Sequence, residues 1–284
     1  MPHEALAREP WLAVGELGGG AARDRILLAA PIDLAELEAV FADKIAAEDR
    51  VETDVGGKIR AKRIRRLGEL VLSERRIDKP DAGLLAAALA GQVRQAGLVA
   101  LPWGEAALAF RARVRFMRLR DPDAWPDLSD AGLLERLEDW LIPLLEGRSA
   151  LSQLPAEALE GAVRALVPWD QQRRLDREAP ARFTAPTGNS FAIDYGAEGG
   201  PRVEVRVGEL YGLSEHPMAA GQPLTLALLS PAHRPIQVTR DLPGFWRGSW
   251  KEVRTEMKGR YPRHVWPEDP AVAAPVTRAK PRGT

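Results

Sequence analysis

Residues 229–270, LSPAHRPIQVTRDLPGFWRGSWKEVRTEMKGRYPRHVWPEDP, carry the strongest structural pattern of the chain. The stretch contains three of the eight tryptophans together with eight lysines and arginines. Its first part predicts a short strand at 236–239, and its second part predicts a helix at 245–258. One stripe of that helix is apolar and consists of Trp246, Trp250, Val253 and Met257. Tryptophans at helical spacing are typical of a packed core, and the alternative is a platform on which bases stack.

A basic stripe lies one residue further round the same predicted helix and continues past its end. Its members are Arg247, Lys251, Arg254, Lys258, Arg260, Arg263 and His264. Cations gathered along one face complement the phosphates of a nucleic acid backbone. We therefore predict that these residues bind nucleic acid.

A second basic segment lies far upstream, after the paired glycines Gly56-Gly57. Two glycines between alternating strands favour a tight hairpin, with strands at 50–55 and 58–64. Alternation places Lys58, Arg60 and Lys62 on one face of the second strand, opposite Ile59 and Ala61. The candidate phosphate-binding residues here are Lys58, Arg60, Lys62, Arg63, Arg65 and Arg66. The alternative is a solvated strand face balanced by the acidic residues that precede it.

Between the two basic segments the pattern is first helical and then strand-like. Residues 84–179 carry apolar side chains at helical spacing, whereas from Phe183 short apolar segments are separated by Gly and Pro. We therefore predict an α+β fold with an N-terminal β module, a central helical region, and a C-terminal β module with a terminal helix. The predicted domains are 1–80 (β-rich, with the basic hairpin), 81–182 (helical), 183–264 (β module plus terminal helix) and 265–284 (a disordered tail).

A third group of cations, Arg111, Arg115 and Arg118, follows one face of a predicted helix in the central region. Several acidic residues come shortly afterwards in the sequence. The pattern favours a solvated or ion-paired face, and a contact with another protein domain is the alternative.

Composition limits the functions that the chain can perform. The formal net charge is zero, from 40 basic and 40 acidic residues, so affinity for a polyanion requires local segregation of charge. There is no cysteine, which excludes disulfides and thiolate chemistry. We find no signal peptide and no apolar run of about 20 residues, and therefore expect a soluble, cytoplasmic protein that does not enter a membrane.

No spacing in the chain marks a catalytic set or a metal site. The four histidines, His3, His216, His233 and His264, are dispersed along the sequence. We therefore expect neither catalytic nor metal-binding residues.

Several motifs together resemble the C-terminal region of the bacterial HrpB-type ATP-dependent RNA helicases, which are of the DEAH-box class. They are LSPAxRPxQVTxDL from Leu229, then FWxxSW from Phe245, then VRxEMKGRYPRHxWPEDP from Val253. Three further segments share the resemblance: 101–130, 137–145 and 166–195. The resemblance thus covers nearly the whole chain.

The resemblance implies a nucleic-acid-binding accessory region of an ATP-dependent helicase, in which the first hairpin closes an OB-like fold. Such helicases carry motor domains with a phosphate-binding loop, but these 284 residues contain no G-x-x-x-x-G-K-[ST]. ATP and Mg²⁺ are therefore expected only in motor domains outside this chain. The implied partners are single-stranded RNA or DNA and the motor domains, in cis or in trans. The alternative function is a protein-interaction scaffold that docks on and regulates a motor or another acidic partner.

Overall fold

The computed structural model describes residues 5–20, 23–54 and 56–277. These residues divide into two compact units. The first holds the residues up to Leu89 together with Glu146–Ala150, and the second holds Ala90–Leu145 and the residues from Leu151 onward. Among the described helices, none combines the length and the apolar character needed to cross a bilayer.

The first unit is built around two antiparallel sheets. Its strands are β1 (Leu12–Gly20), β2 (Arg23–Pro31), β3 (Ile45–Thr53), β4 (Ile59–Leu67) and β5 (Leu70–Ile77), and its first helix is α1 (Leu34–Val40). Strands β1 and β2 form one hairpin, and the other sheet has the order β3-β4-β5. The hairpin predicted around Gly56-Gly57 is confirmed, because Thr53 pairs with Ile59 and Gly57 has a φ of 77°.

Helices follow the second sheet along the chain. They are α2 (Ala82–Ala96), α3 (Glu105–Arg118), α4 (Asp130–Glu135), α5 (Leu137–Trp140), α6 (Ile142–Leu145), α7 (Ala156–Ala165) and α8 (Trp169–Glu178). In the second unit α3 packs against both α7 and α8. A buried arginine, Arg113, joins α3 to α8 by donating to the Ala179 carbonyl oxygen at 2.8 Å and to Asp176 at 2.8 Å.

The rest of the second unit consists of short strands and two helices. The strands are β6 (Arg182–Thr184), β7 (Ser190–Ala192), β8 (Arg202–Arg206), β9 (Met218–Ala219), β10 (Gln222–Pro223), β11 (Thr225–Leu229) and β12 (Pro235–Thr239), and the helices are α9 (Leu242–Arg247) and α10 (Trp250–Arg260). The central sheet has the order β12-β11-β8, with β8 parallel to β11. The α+β class and the order of its modules are as predicted. The rings of Phe116 on α3 and Tyr195 after β7 lie 5.1 Å apart, so the helices and the β elements share one core.

A buried carboxylate helps to fix the loop before β7. Glu209 is fully buried and accepts hydrogen bonds from the Thr187 hydroxyl, the Asn189 amide and, at 2.7 Å, the Arg206 guanidinium. Burial opposes ionisation, but these donors outweigh it and hold the pKa of Glu209 below its ordinary value. A carboxylate with every oxygen partnered is a structural group.

The helix predicted at 245–258 is instead two helices. Helix α9 ends where the Gly248 N–H bonds to the Gly244 carbonyl oxygen, and Gly248 itself has φ −96° and ψ −99°, outside the helical region. Helix α10 then begins at Trp250. Glycine permits this backbone conformation, and hydrophobic spacing alone does not reveal the break.

The predicted disordered tail is partly ordered in the structure. We call residues 266–276 the C-terminal strap. Gly212 donates to the Pro270 carbonyl oxygen at 2.9 Å, and Val276 donates to the Gly208 carbonyl oxygen at 2.9 Å. The strap is held by backbone hydrogen bonds, which leave no periodic signal in its side chains. Residues 278–284 of the predicted tail lie outside the described residues.

Candidate nucleic-acid interface

The upstream basic segment forms β4, the middle strand of its sheet. Ile59 and Ala61 are buried, as the alternation predicted, and Arg60 is exposed. The alternation does not continue, because Ile64 is also buried although it belongs to the other face. A register shift in the pairing with β5 follows between Arg65 and Arg66. The six predicted residues therefore do not form one row of cations.

Five of these six cations pair with carboxylates. The pairs are Arg60–Asp54 at 3.2 Å, Lys62–Glu52 at 2.6 Å, Lys62–Glu74 at 3.0 Å, Arg63–Asp49 at 2.7 Å, Arg65–Glu38 at 2.5 Å, Arg66–Glu69 at 3.4 Å and Arg66–Glu48 at 3.8 Å. The sixth, Lys58, is exposed and has no carboxylate partner among the residues that the structure describes. Surface pairs of this kind contribute little to stability, but each one offsets a charge that a phosphate would otherwise contact. The segment therefore matches the solvated, charge-balanced alternative better than a phosphate-binding row.

The pairing of Arg63 and Asp49 predicts a measurable pKa. Hydrogen bonding from Arg63 lowers the pKa of the Asp49 carboxyl below the ordinary value of about 3.9. A carboxyl whose pKa is lowered by folding stabilises the folded state at pH values above its pKa in the unfolded chain. This contribution is lost as the pH falls through the lower pKa of the folded state. We expect an NMR titration of Asp49 to show the low value, and Arg63→Gln to return it toward 3.9.

The matched control for this titration is Arg60→Gln, because Arg60 pairs with Asp54 and not with Asp49. We expect it to leave the Asp49 titration unchanged. An Asp49 that titrates at about 3.9 in the parent protein would show that the ion pair does not persist in solution.

The tryptophan stripe at the C-terminal end is confirmed as core. Trp250 is 2% exposed, and its ring lies 5.3 Å from Trp246, 5.7 Å from Tyr211, 6.0 Å from Phe245 and 6.1 Å from Trp266. Its indole N–H donates to the Pro267 carbonyl oxygen in the C-terminal strap. These rings form an aromatic cluster that no base can enter, so the alternative of a stacking platform is wrong for Trp246 and Trp250.

Three of the seven cations predicted beside this stripe are held by structural contacts or are neutral. Arg254 donates to the Trp266 carbonyl oxygen and pairs with Glu268, both at 3.0 Å. Arg260 pairs with Glu256 at 3.1 Å. Burial lowers the pKa of the His264 ring, and the positive charges of Arg206 and Arg263 add to the effect. The ring is therefore neutral at pH 7 and supplies no cation there.

The other four predicted cations are exposed, and the part of the chain that the structure describes offers none of them a carboxylate partner. They are Arg247 at the end of α9, Lys251 and Lys258 on α10, and Arg263 just beyond it. We call these four residues the C-terminal basic surface. Lys251 and Lys258 are two turns apart and share one face of α10, about 10 Å apart along the axis. Their charges are available to a polyanion without first breaking an ion pair.

The three arginines predicted on one face of a helix in the central region lie on α3 and have different environments. Arg111 is buried, donates to the Leu128 carbonyl oxygen and pairs with Asp130 at 2.5 Å. Arg118 donates to backbone carbonyl oxygens in the segment that follows α3. Only Arg115 of the three is exposed. Arg111 and Arg118 therefore stabilise the fold, and no contact with another domain is assigned to them.

One exposed aromatic residue was not among the predicted site residues. Trp169, the first residue of α8, is 71% exposed. The sequence did carry a signal, since Pro168 precedes it and proline favours a helix start. A residue at a helix start is less covered by neighbouring turns, but hydrophobic spacing alone does not indicate whether its side chain faces the core or the solvent.

Comparison with known proteins gives consistent matches. A family model described as ATP-dependent helicase C-terminal matches residues 140–270. The ATP-dependent RNA helicase HrpB of Escherichia coli K12 is 41% identical over 98% of this chain and 35% of its own length.

Two crystal structures of E. coli proteins are also similar. A DExH-box NTPase HrpB matches with a TM-score of 0.68 and 39% identity, over 98% of this chain and 35% of that one. A DEAH/RHA helicase HrpB matches with a TM-score of 0.59 and 35% identity, over 93% of this chain and 34% of that one. The chain thus spans about a third of the length of the relatives it matches.

Proposed function

The chain belongs to the HrpB family of ATP-dependent helicases and corresponds to their C-terminal region, and on this premise we propose that it is an accessory region that binds single-stranded RNA. ATP hydrolysis is assigned to motor domains, in cis or in trans, because these 284 residues carry no phosphate-binding loop of the G-x-x-x-x-G-K-[ST] type. The accessory region would hold the strand while the motor acts on it.

The C-terminal basic surface is the observation that carries this proposal. A chain with zero net charge attracts a polyanion only where cations are concentrated and unpaired. Four such cations lie close together in sequence in the C-terminal basic surface, where the described residues offer them no carboxylate partner, whereas the basic strand β4 of the first unit is matched by carboxylates. The phosphate backbone, rather than base edges, is the part of RNA that lysines and arginines of this kind contact.

The test is the salt dependence of RNA binding by the full chain. We expect a fluorescently labelled oligouridine to bind at 50 mM NaCl with a log–log salt slope of about −3, because each of four phosphate contacts contributes about −0.7 on a single strand. A single-stranded DNA and a duplex RNA of equal length serve as comparisons. Absence of binding at low salt, or binding that does not depend on salt, would contradict the proposal. Binding only to a motor-containing fragment would support the interaction scaffold instead.

A further inference from the structure

Trp169 differs from the other tryptophans of the chain in its exposure. Five of the eight donate their indole N–H to a backbone carbonyl oxygen within the fold, namely Trp103, Trp140, Trp246, Trp250 and Trp266. Trp125 is buried and Trp11 is half-buried. Trp169 is 71% exposed, and no carbonyl partner for its N–H is found among the described residues. The other tryptophans pack within the fold, whereas the large aromatic ring of Trp169 is exposed to solvent and does not contribute to the core.

The backbone that carries Trp169 is firmly held. Gln172, one turn further along α8, donates its side-chain amide to the carbonyl oxygens of Arg164 at 3.0 Å and Val167 at 2.8 Å. These bonds tie the start of α8 to the end of α7. Leu175, about 120° round α8 from Trp169, is fully buried. Trp169 is therefore presented on a rigid helix, which is what a preorganised binding residue requires.

The charges beside Trp169 favour an anionic partner. Arg173 lies one turn away on the same side of α8, is exposed, and has no carboxylate partner in the described ranges 5–20, 23–54 and 56–277. Asp176, the next residue near this side, is paired with Arg113 at 2.8 Å. Asp170 is about 100° round the helix from Trp169, whereas Arg173 is only about 40° away. The cation closest to the exposed ring on this helix is therefore available, and the nearby carboxylate of Asp176 is already engaged.

Helices α7 and α8 carry no second exposed large apolar residue among those described, which does not favour a protein partner. Protein interfaces have an apolar centre formed by several residues. Along the chain between Leu119 and Met218, Trp169 is the one large apolar residue that is strongly exposed among those described. A single flat ring with a neighbouring arginine instead matches the way in which single-stranded nucleic acid is bound, by base stacking together with backbone contacts.

We propose that Trp169 is a stacking platform for one base of a single-stranded nucleic acid, with Arg173 contacting an adjacent phosphate. This inference rests on the proposed function for the nature of the ligand, but it assigns a second contact point, on α8 rather than on the C-terminal basic surface. The two contact points then bind different parts of the strand: the C-terminal basic surface contacts phosphates, and Trp169 contacts a base.

The test compares three substitutions of the same exposed side chain in the full chain. We expect Trp169→Ala and Trp169→Leu to weaken oligouridine binding by roughly tenfold, and Trp169→Phe to retain most of the affinity, because stacking requires an aromatic face. Leucine retains a large apolar side chain, so an apolar contact with a protein partner would be retained in the Trp169→Leu variant. Parental affinity in Trp169→Ala, or in Trp169→Leu, would overturn the inference.

Two further measurements separate base contact from phosphate contact. Trp169→Ala should have no effect on binding of a strand with abasic sites, since that strand retains its phosphates. Saturating oligouridine should also protect the exposed tryptophan emission of the parent from iodide quenching, and this emission is absent from Trp169→Phe. If a motor-containing fragment protects Trp169 and RNA does not, the residue is a protein contact and the inference fails.

Failure of the inference is distinguishable from failure of the proposed function. A parent chain that binds no RNA at low salt contradicts both. A parent chain that binds with the expected salt slope, and whose affinity does not change in Trp169→Ala, contradicts the stacking platform alone. Thermal unfolding of each variant provides the check on folding, and we expect no change because the side chain is exposed.

Discussion

Replacement of Trp250 by alanine is expected to lower the free energy of unfolding by about 4 kcal/mol. The side chain is almost completely buried among four aromatic rings, and its N–H is bonded to the Pro267 carbonyl oxygen. Alanine would leave a cavity and an unpaired backbone acceptor, both of which are destabilising. Urea unfolding followed by circular dichroism measures the change.

The matched control is Trp169→Ala, which removes the same side chain from an exposed position. We expect it to change the free energy of unfolding by less than about 0.5 kcal/mol. If the two variants are equally stable, the packing around Trp250 does not hold in solution. Loss of RNA binding by Trp250→Ala at a temperature at which the variant remains folded would reopen a direct role for this residue.

Charge reversal of three members of the C-terminal basic surface, Arg247, Lys251 and Lys258 to Glu, should weaken binding of single-stranded RNA by about a hundredfold at 0.1 M salt. Losing three phosphate contacts reduces the log–log salt slope by about 2, and affinities extrapolated to 1 M salt should converge. The fold should be retained, since all three side chains are exposed. Anisotropy titrations from 50 to 500 mM NaCl provide both the affinity and the slope.

Two comparisons make this result specific. Glu252→Lys adds a cation to α10 and should strengthen binding. Neutralising the paired residues Lys62 and Arg63 with Gln should change the slope less than the triple reversal does, because their charges are already offset by Glu52, Glu74 and Asp49. If the triple reversal binds RNA as the parent does, the phosphate contacts lie elsewhere on the chain.

Patterns local in the sequence predicted some elements correctly, although the break at Gly248 between α9 and α10 was not among them. Alternation around Gly56-Gly57 predicted the hairpin of β3 and β4, because the side-chain period of a strand is visible within a few residues. Helical spacing predicted the burial of Trp246 and Trp250 for the same reason. A face that is buried over several turns leaves a periodic signal.

The availability of each cation required the tertiary structure. The sequence does not show that Arg63 and Arg65 are paired whereas Lys251 is not. The two arginines bond to carboxylates that lie 14 and 27 residues away along the chain. Such pairs depend on strand register and on the position of α1. The acidic residues are visible in the sequence, but their spacing does not match each one to a cation. The exposure of Trp169 was missed for a related reason, since no periodicity extends to the first residue of a helix.

The C-terminal strap has a consequence for the order in which the second unit forms during synthesis. The aromatic cluster around Trp250 is closed by Trp266 and by the Pro267 carbonyl oxygen, and the strap also bonds to Gly208 and Gly212. Translation produces β8 and β11 well before these residues leave the ribosome. Until then the tryptophan rings of α9 and α10 are incompletely covered, and such surfaces are prone to aggregation. Folding of this unit is therefore completed only after residue 276 has emerged from the exit tunnel.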